Sequence, residues 1–257
     1  MKTITSIFFS PTDSTKQVIR HITSQFPLEK IEIDCTPYQE KNIEMSFDED
    51  DLVLFGTPVY GGRLPAIALE RMQHIHGDNT PVILLVTYGN RDYDDALLEF
   101  KDYANAHGFC IVAMLCVVCE HSIMHTIATH RPDEKDNQIL DSFAKQIWHK
   151  VETTLPCSYG DIEVKGNFPY CTYTGIPLKP KASKKCTACG LCAQECPTQA
   201  IPKENPSQTN KNLCISCMRC MKICPQQARS LNPIVFSVAQ KGLEMKCKER
   251  KESELFI

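Results

Sequence analysis

Four cysteines at Cys186, Cys189, Cys192 and Cys196 spell CTACGLCAQECP, and the rhythm returns as CISCMRCMKICP at Cys214, Cys217, Cys220 and Cys224. Each run ends in a proline, Pro197 or Pro225, and 17 residues separate Cys196 from Cys214. The chain has 257 residues and 15 cysteines, eight of them in these runs. The N-terminal stretch MKTITSIFFSPTDST lacks the long apolar core of a signal peptide, and no apolar run approaches the roughly 18 residues of a membrane helix. A cytoplasmic location without a membrane span is therefore expected, and there such cysteine density indicates metal or redox chemistry rather than disulfides. Structural zinc sites usually close one tetrahedron with two separated CxxC pairs. Three cysteines at i, i+3 and i+6 with a remote fourth fit a 4Fe-4S cubane instead, and the doubled motif predicts two clusters. The other seven cysteines are scattered; Cys110 and Cys116 lie in an apolar run and read as small buried hydrophobes.

The first 150 residues follow a different rhythm. ITSIFF (4–9), LEKIEID (28–34), DLVLFG (51–56), PVILLVT (81–87) and FCIVAMLCVV (109–118) read as five strands. Between them, STKQVIRHITSQF places Val18, Ile19, Ile22 and Phe26 on one helical stripe, Pro65 opens a second helix, and 93–108 forms a third that stops at Gly108. A long helix over 132–154 is expected to turn Ile139, Phe143, Ile147 and Val151 inward. Short apolar strands alternating with amphipathic helices predict a parallel sheet covered on both faces. The expected fold class is α/β, a flavodoxin-like doubly wound five-stranded parallel sheet followed by a small α+β two-cluster ferredoxin-like module. A 2-1-3-4-5 strand order puts the ligand at the carboxyl ends of the strands.

Three loops leave those ends. In SPTDSTKQV (10–18), Ser10, Thr12, Ser14 and Thr15 crowd hydroxyls into a turn that opens a helix. One such residue suffices for capping; four, at a helix N-terminus, fit a phosphate. GTPVYGGRLP (56–65) sets Pro58, Val59 and Tyr60 before Gly61 and Gly62, which let backbone approach a ligand closely. TYGNRDYDDAL (87–97) carries Tyr88, Gly89 and Asn90. No GxGxxG and no GxxxxGK[ST] occurs, so a Rossmann dinucleotide site or an NTPase is unsupported. In CEHSIMHTIATHRPD (119–133), His121 and His125 stand four apart, a spacing that binds zinc or iron on a helix; the alternatives are a lid over the flavin, with His121 at the cofactor, or ordinary surface histidines.

The stretch SPTDSTKQV resembles the flavodoxin phosphate loop [ST]-x-T-G-x-T: Ser10, Thr12 and Thr15 match, and Asp13 stands where Gly is common. That resemblance implies that Tyr60 stacks on the isoalloxazine and that backbone groups of Tyr88, Gly89 and Asn90 frame its pyrimidine edge. The cysteine runs resemble bacterial two-cluster ferredoxins. This implies crossed ligand sets, Cys186, Cys189, Cys192 and Cys224 for one cluster and Cys214, Cys217, Cys220 and Cys196 for the other. The whole chain resembles the EFR1-type flavodoxin–ferredoxin fusion proteins. The expected organisation is an FMN-binding domain at 1–154, a connector at 155–180 packing on it, the ferredoxin module at 181–230 and a partly helical tail at 231–257.

Residues 179–257 carry 14 Lys and Arg against 6 Asp and Glu, whereas residues 1–178 carry 14 against 25. Both halves are thereby soluble, or the basic module docks on the acidic domain or an acidic partner. The dispersed lysines lack an aromatic platform, which argues against nucleic acid. The leading expectation is an iron–sulfur flavoprotein passing electrons between FMN and two 4Fe-4S clusters and serving a redox partner protein, with a homo-oligomer as one option. The alternatives are a flavin-dependent reductase of a small acceptor fed by the clusters, and a redox or iron sensor.

Overall fold

The computed structural model describes residues 1–38, 43–154 and 158–257. Its first part runs β1 (Thr3–Phe8), α1 (Ser14–Ser24), β2 (Glu29–Asp34), β3 (Met45–Phe47), β4 (Leu52–Pro58), α2 (Ala66–Met72), β5 (Ile75–Gly77), β6 (Thr80–Tyr88), α3 (Ala96–Ala106), β7 (Phe109–Val118) and α4 (Glu134–Thr153). The remainder holds β8 (Lys181–Ala182), α5 (Leu191–Gln194), α6 (Arg219–Lys222), β9 (Arg229–Ser230), α7 (Pro233–Glu244) and β10 (Glu254–Phe256).

The main sheet is ordered β10-β7-β6-β4-β1-β2. All neighbours are parallel except β10, which runs antiparallel to β7. The five parallel strands thus follow the doubly wound, flavodoxin-like order. Every residue of β6 is buried, as a strand with helices on both faces requires. On one face, Val18, Ile19 and Ile22 of α1 and Leu140, Ala144 and Ile147 of α4 join the core. On the other, Met72 of α2 and Ala96, Leu97 and Phe100 of α3 pack with Phe55 and Phe109.

The five-stranded expectation is corrected by this sixth strand, contributed from the tail. The inward stripe of α4 is also rotated: Leu140 and Ala144 are buried, while Ile139 and Phe143 flank them half-buried. Its start is fixed by a capping box, with the Asp133 carboxylate accepting from the Asp136 amide at 3.0 Å and Asp136 accepting from the Asp133 amide at 2.9 Å. Helix α2 ends at Met72, and Ile75–Gly77 instead pairs with Met45–Phe47 as a small parallel ribbon. Cys110 is disulfide-bonded rather than a free buried thiol.

Of the connector expected at 155–180, residues 155–157 lie outside the described residues. Beyond them the backbone crosses α3. Cys171 and Asn167 donate their amides to Asp95 at 2.6 and 2.8 Å, Tyr170 hydrogen-bonds Asp102, and Ile162 enters the core.

The cysteine module repeats its own geometry. Gly190 and Met218 take the same left-handed conformation before α5 and α6, with φ of 81° and 62°. Cys196 Sγ accepts from Ala200 N at 3.2 Å, and Cys224 Sγ accepts from Ala228 N at 3.3 Å. Strands β8 and β9 pair antiparallel. Two arginines fasten this module to the first domain. Buried Arg71 donates to the carbonyls of Cys35, Thr36 and Pro37 and, across the junction, to Pro197. Arg219 pairs with Glu195 and reaches the Pro11 carbonyl at 3.4 Å. Helix α7 then lays Phe236, Ala239 and Leu243 on Met124, Ile127 and Leu178. Among the described residues no helix is long and apolar enough to cross a membrane.

Candidate functional site

The carboxyl ends of β1, β4, β6 and β7 meet at one rim, where a narrow cavity is lined by Ser10, Thr12, Ser14, Thr15, Pro58, Val59, Tyr60, Tyr88, Gly89 and His121. The structure brings all ten of these expected residues together. The first-turn amides of α1 have no intrahelical acceptors and carry the positive end of the helix dipole. Two hydroxyls are committed to structure: Ser10 Oγ accepts from the Lys16 amide at 3.0 Å, and Thr15 Oγ1 lies 2.8 Å from Thr87 Oγ1. Those of Thr12 and Ser14 line the cavity with no protein partner among the described residues. Asp13 caps this helix in the left-handed conformation, φ 66°, without a side-chain cap bond. That conformation explains why glycine suits this position in the loop Asp13 departs from.

The cavity continues over Tyr60 and Tyr88 into a larger one of about 320 Å3. Gly61 and Gly62 line this second space. Both have positive φ, and a Cβ on Gly61 would strike the Tyr173 ring, so the loop needs glycine for conformation and for contact. Gly89 sits against His121, where a Cβ would stand 2.5 Å from His121 Cδ2. The roof comes from segments that loop reasoning did not reach: Tyr173 and Leu178, then Ile215 and Ser216 between the second-motif cysteines, then Leu243 of α7. The one hint in the sequence was the aromatic content of the connector.

The polar groups at this space are largely uncharged. Burial pushes the Tyr60 hydroxyl well above its ordinary value, with Cys217, Tyr173 and Cys214 adding to it, and burial likewise raises Tyr88. Burial lowers His121 to about 4. Its Nδ1 accepts from the amides of Ile123 at 3.2 Å and Met124 at 3.1 Å, which leaves the ring proton on Nε2 as a donor. At the rim, burial opposes the charge of Asp92, but hydrogen bonds from Lys165, the Asp94 amide and Lys251 outweigh it and hold the carboxyl well below the usual range. Asn90 does not line either cavity. Its side chain donates to the carbonyls of Cys247 and Glu249, at 3.2 and 2.9 Å, and accepts from the Lys251 amide at 3.0 Å.

Of the readings of 119–133, the histidine metal site is not seen among the described residues. The segment after β7 is not helical, and His125 instead hydrogen-bonds Glu120 at 2.6 Å. The cysteine module also departs from expectation. A metal ion needs several donor atoms within about 2.0–2.6 Å of one point. Among the described residues, no group of three or more His, Cys, Asp or Glu side chains could hold a metal ion. Cys186, Cys189, Cys192 and Cys224, and Cys214, Cys217, Cys220 and Cys196, therefore do not form the expected ligand sets. The two 4Fe-4S clusters, and electron transfer between them and FMN, are corrected accordingly. Instead, the Cys192 sulfur lies 3.3 Å from Arg229 Nε, and burial pushes Cys217 and Cys220 up to about 12.

A family model described as a 4Fe-4S dicluster domain matches residues 185–229, the module alone. No curated protein matches the chain. Solved structures similar to it include a flavodoxin from the domain Archaea, at 12% identity over 58% of this chain and 99% of that one, with a TM-score of 0.42. Rubredoxin:oxygen oxidoreductase from the anaerobe Desulfovibrio gigas aligns at 13% identity over 59% of this chain and 36% of that one, with a TM-score of 0.42. Streptococcus pneumonia TIGR4 flavodoxin aligns at 17% identity over 58% and 99%, with a TM-score of 0.41. At these scores the fold rests on the observed strand order and not on the alignments. The chain is a flavodoxin-like α/β domain followed by a small Fer4-type module.

Proposed function

We propose that this chain is an FMN-binding flavoprotein in which a flavodoxin-like domain at 1–154 is fused, through the segment 155–180, to a Fer4-type module at 181–230 and a tail at 231–257. The observation that carries the reading is one continuous cleft at the strand ends, polar at one end and apolar at the other. Thr12, Ser14 and the amides of Ser14 and Thr15 at the start of α1 bind the phosphate. The apolar space beside Tyr60, Tyr88 and Gly89 holds the ring. Neutral His121 offers Nε2–H to a carbonyl or nitrogen acceptor there. FMN, when bound, supplies one- and two-electron redox chemistry. The module roofs the ring through Ile215 and Ser216 and limits its access to water.

Titration of the full chain with FMN, followed by flavin fluorescence, tests this. Saturation at one FMN per chain is expected. Ser14→Glu, which sets a carboxylate in the phosphate cradle, should weaken FMN by at least about 100-fold, a cost of roughly 2.7 kcal/mol, and leave riboflavin, which has no phosphate, nearly unaffected. A chain that ignores FMN at millimolar concentration sinks the reading.

A further inference from the structure

Thr12 and Ser14 have two faces. One lines the phosphate cradle, and the other lines a separate cavity of about 440 Å3. Its walls include Met218, Met221, Leu231 and Phe236, with Lys222 at its edge. Glu120 and Ser122 border both spaces as well, and Ser122 and Ile123 also border the ring cavity. The three cavities therefore adjoin one another around the α1 N-terminus, with Thr12 and Ser14 between the cradle and this third space. The volume lies within the roughly 300–1,000 Å3 typical of small-ligand sites. An FMN seated as above does not extend beyond its phosphate, so this arm of the cleft has no occupant in that reading.

The chemistry of the arm specifies one. It adjoins the phosphate cradle across Thr12 and Ser14, so a ligand extended beyond that phosphate can reach it. Two thioethers and an aromatic ring favour a flat, polarisable heterocycle. Lys222 supplies a cation for the second phosphate that such a ligand carries. The one carboxylate in the wall, Glu120, is already engaged: Oε1 is 2.6 Å from His125 Nδ1, and Oε2 accepts from the His130 amide at 2.7 Å. We propose that the cleft takes flavin adenine dinucleotide, with the adenylate half between Met221 and Phe236 and the pyrophosphate at Thr12, Ser14 and Lys222. This rests on the flavin reading and extends it to a dinucleotide.

Calorimetric titration of the full chain with FMN and with FAD separates the two claims. FAD is expected to bind at least about tenfold more tightly than FMN. Met221→Trp, which fills the arm, should reduce FAD to the affinity of FMN or below while FMN stays within about threefold of its original value. Lys222→Gln, at an exposed position that packing does not depend on, should weaken FAD about fivefold more than FMN and serves if the tryptophan variant does not fold. Binding of FMN with FAD equal or weaker overturns the dinucleotide assignment and leaves the flavin reading intact. Variants that weaken both ligands alike also overturn it. Binding of neither flavin overturns both.

Discussion

Asp13 is the liability of the phosphate loop. It holds a left-handed φ of 66° without a compensating cap bond, and it adds a negative charge between Thr12 and Ser14 in sequence, although its own side chain does not line the cradle. Left-handed backbone costs a non-glycine residue about 1–2 kcal/mol, part of which glycine's greater freedom in the unfolded chain takes back. Asp13→Gly is therefore expected to raise stability by about 0.5–1 kcal/mol and to tighten FMN binding; urea unfolding and flavin titration read the two effects separately. His121 makes a second residue-scale prediction. Its folded value of about 4 lies below the ordinary 6.5, so the unfolded chain binds the proton more readily. The stability it contributes is full above pH 6.5 and is lost as pH falls from there through 4. A tenfold difference in proton affinity is worth about 1.4 kcal/mol, so the ceiling is roughly 3 kcal/mol. His121→Asn, whose Oδ1 can still accept from the backbone, should flatten the stability profile over that window; an unchanged slope would remove His121 as its source.

Elements were legible in the sequence to the extent that burial was local. FCIVAMLCVV at 109–118 is β7 as expected, because a fully apolar ten-residue run has few other places to go. The three strand-end loops were readable for a related reason: their hydroxyls and glycines are adjacent in sequence. What escaped was long-range. Strand β10 is three residues, ELF, and nothing periodic marks it; its register, Leu255 opposite Leu115, exists only once β7 is in place. The roof residues Tyr173, Ile215 and Leu243 come from three distant segments, and no local pattern joins them. The cysteine rhythm was conspicuous, yet it specified paired turns, α5 and α6, rather than a convergent donor set. Strand β10 yields an element-scale prediction. Ending the chain at Ser253 removes the partial burial of Leu255 and Phe256 and the Tyr93–Glu254 hydrogen bond. A loss on the order of 2–3 kcal/mol is expected from area alone. The bared edge of β7 should also promote self-association, visible by light scattering. An unchanged denaturation midpoint would show that β10 contributes little.

Across the whole molecule, the charge asymmetry between halves operates in a narrower place than composition implied. Arg219 pairs within the module, with Glu195. The ion pairs between the acidic and basic parts are concentrated in the tail: Arg250 with Asp133 and Asp136, Lys251 with Asp92, and Glu252 with Lys135. The module itself is held by Arg71 on backbone carbonyls and by the apolar cluster of α7. Exposed ion pairs are worth about 0.2–1 kcal/mol each and are screened by salt, whereas buried hydrogen bonds and apolar contacts are not. At about 1 M salt, where the screening length is roughly 3 Å, hydrogen exchange should accelerate across 247–253 while amides at the Arg71 junction keep their protection. Equal loss at both places would mean that charge, rather than packing, docks the module.

The antiparallel strand β10 also bears on how the chain is made. Ser253 Oγ accepts from the amide of Val118, 135 positions earlier, and β10 begins at the next residue. During synthesis, the parallel sheet can assemble as soon as β7 clears the ribosome, but its outer edge stays bare while the module and α7 are translated. Through that interval the nascent domain presents an unpaired, fully apolar strand to its surroundings. Its need for a chaperone is therefore set by the translation time of everything between β7 and β10.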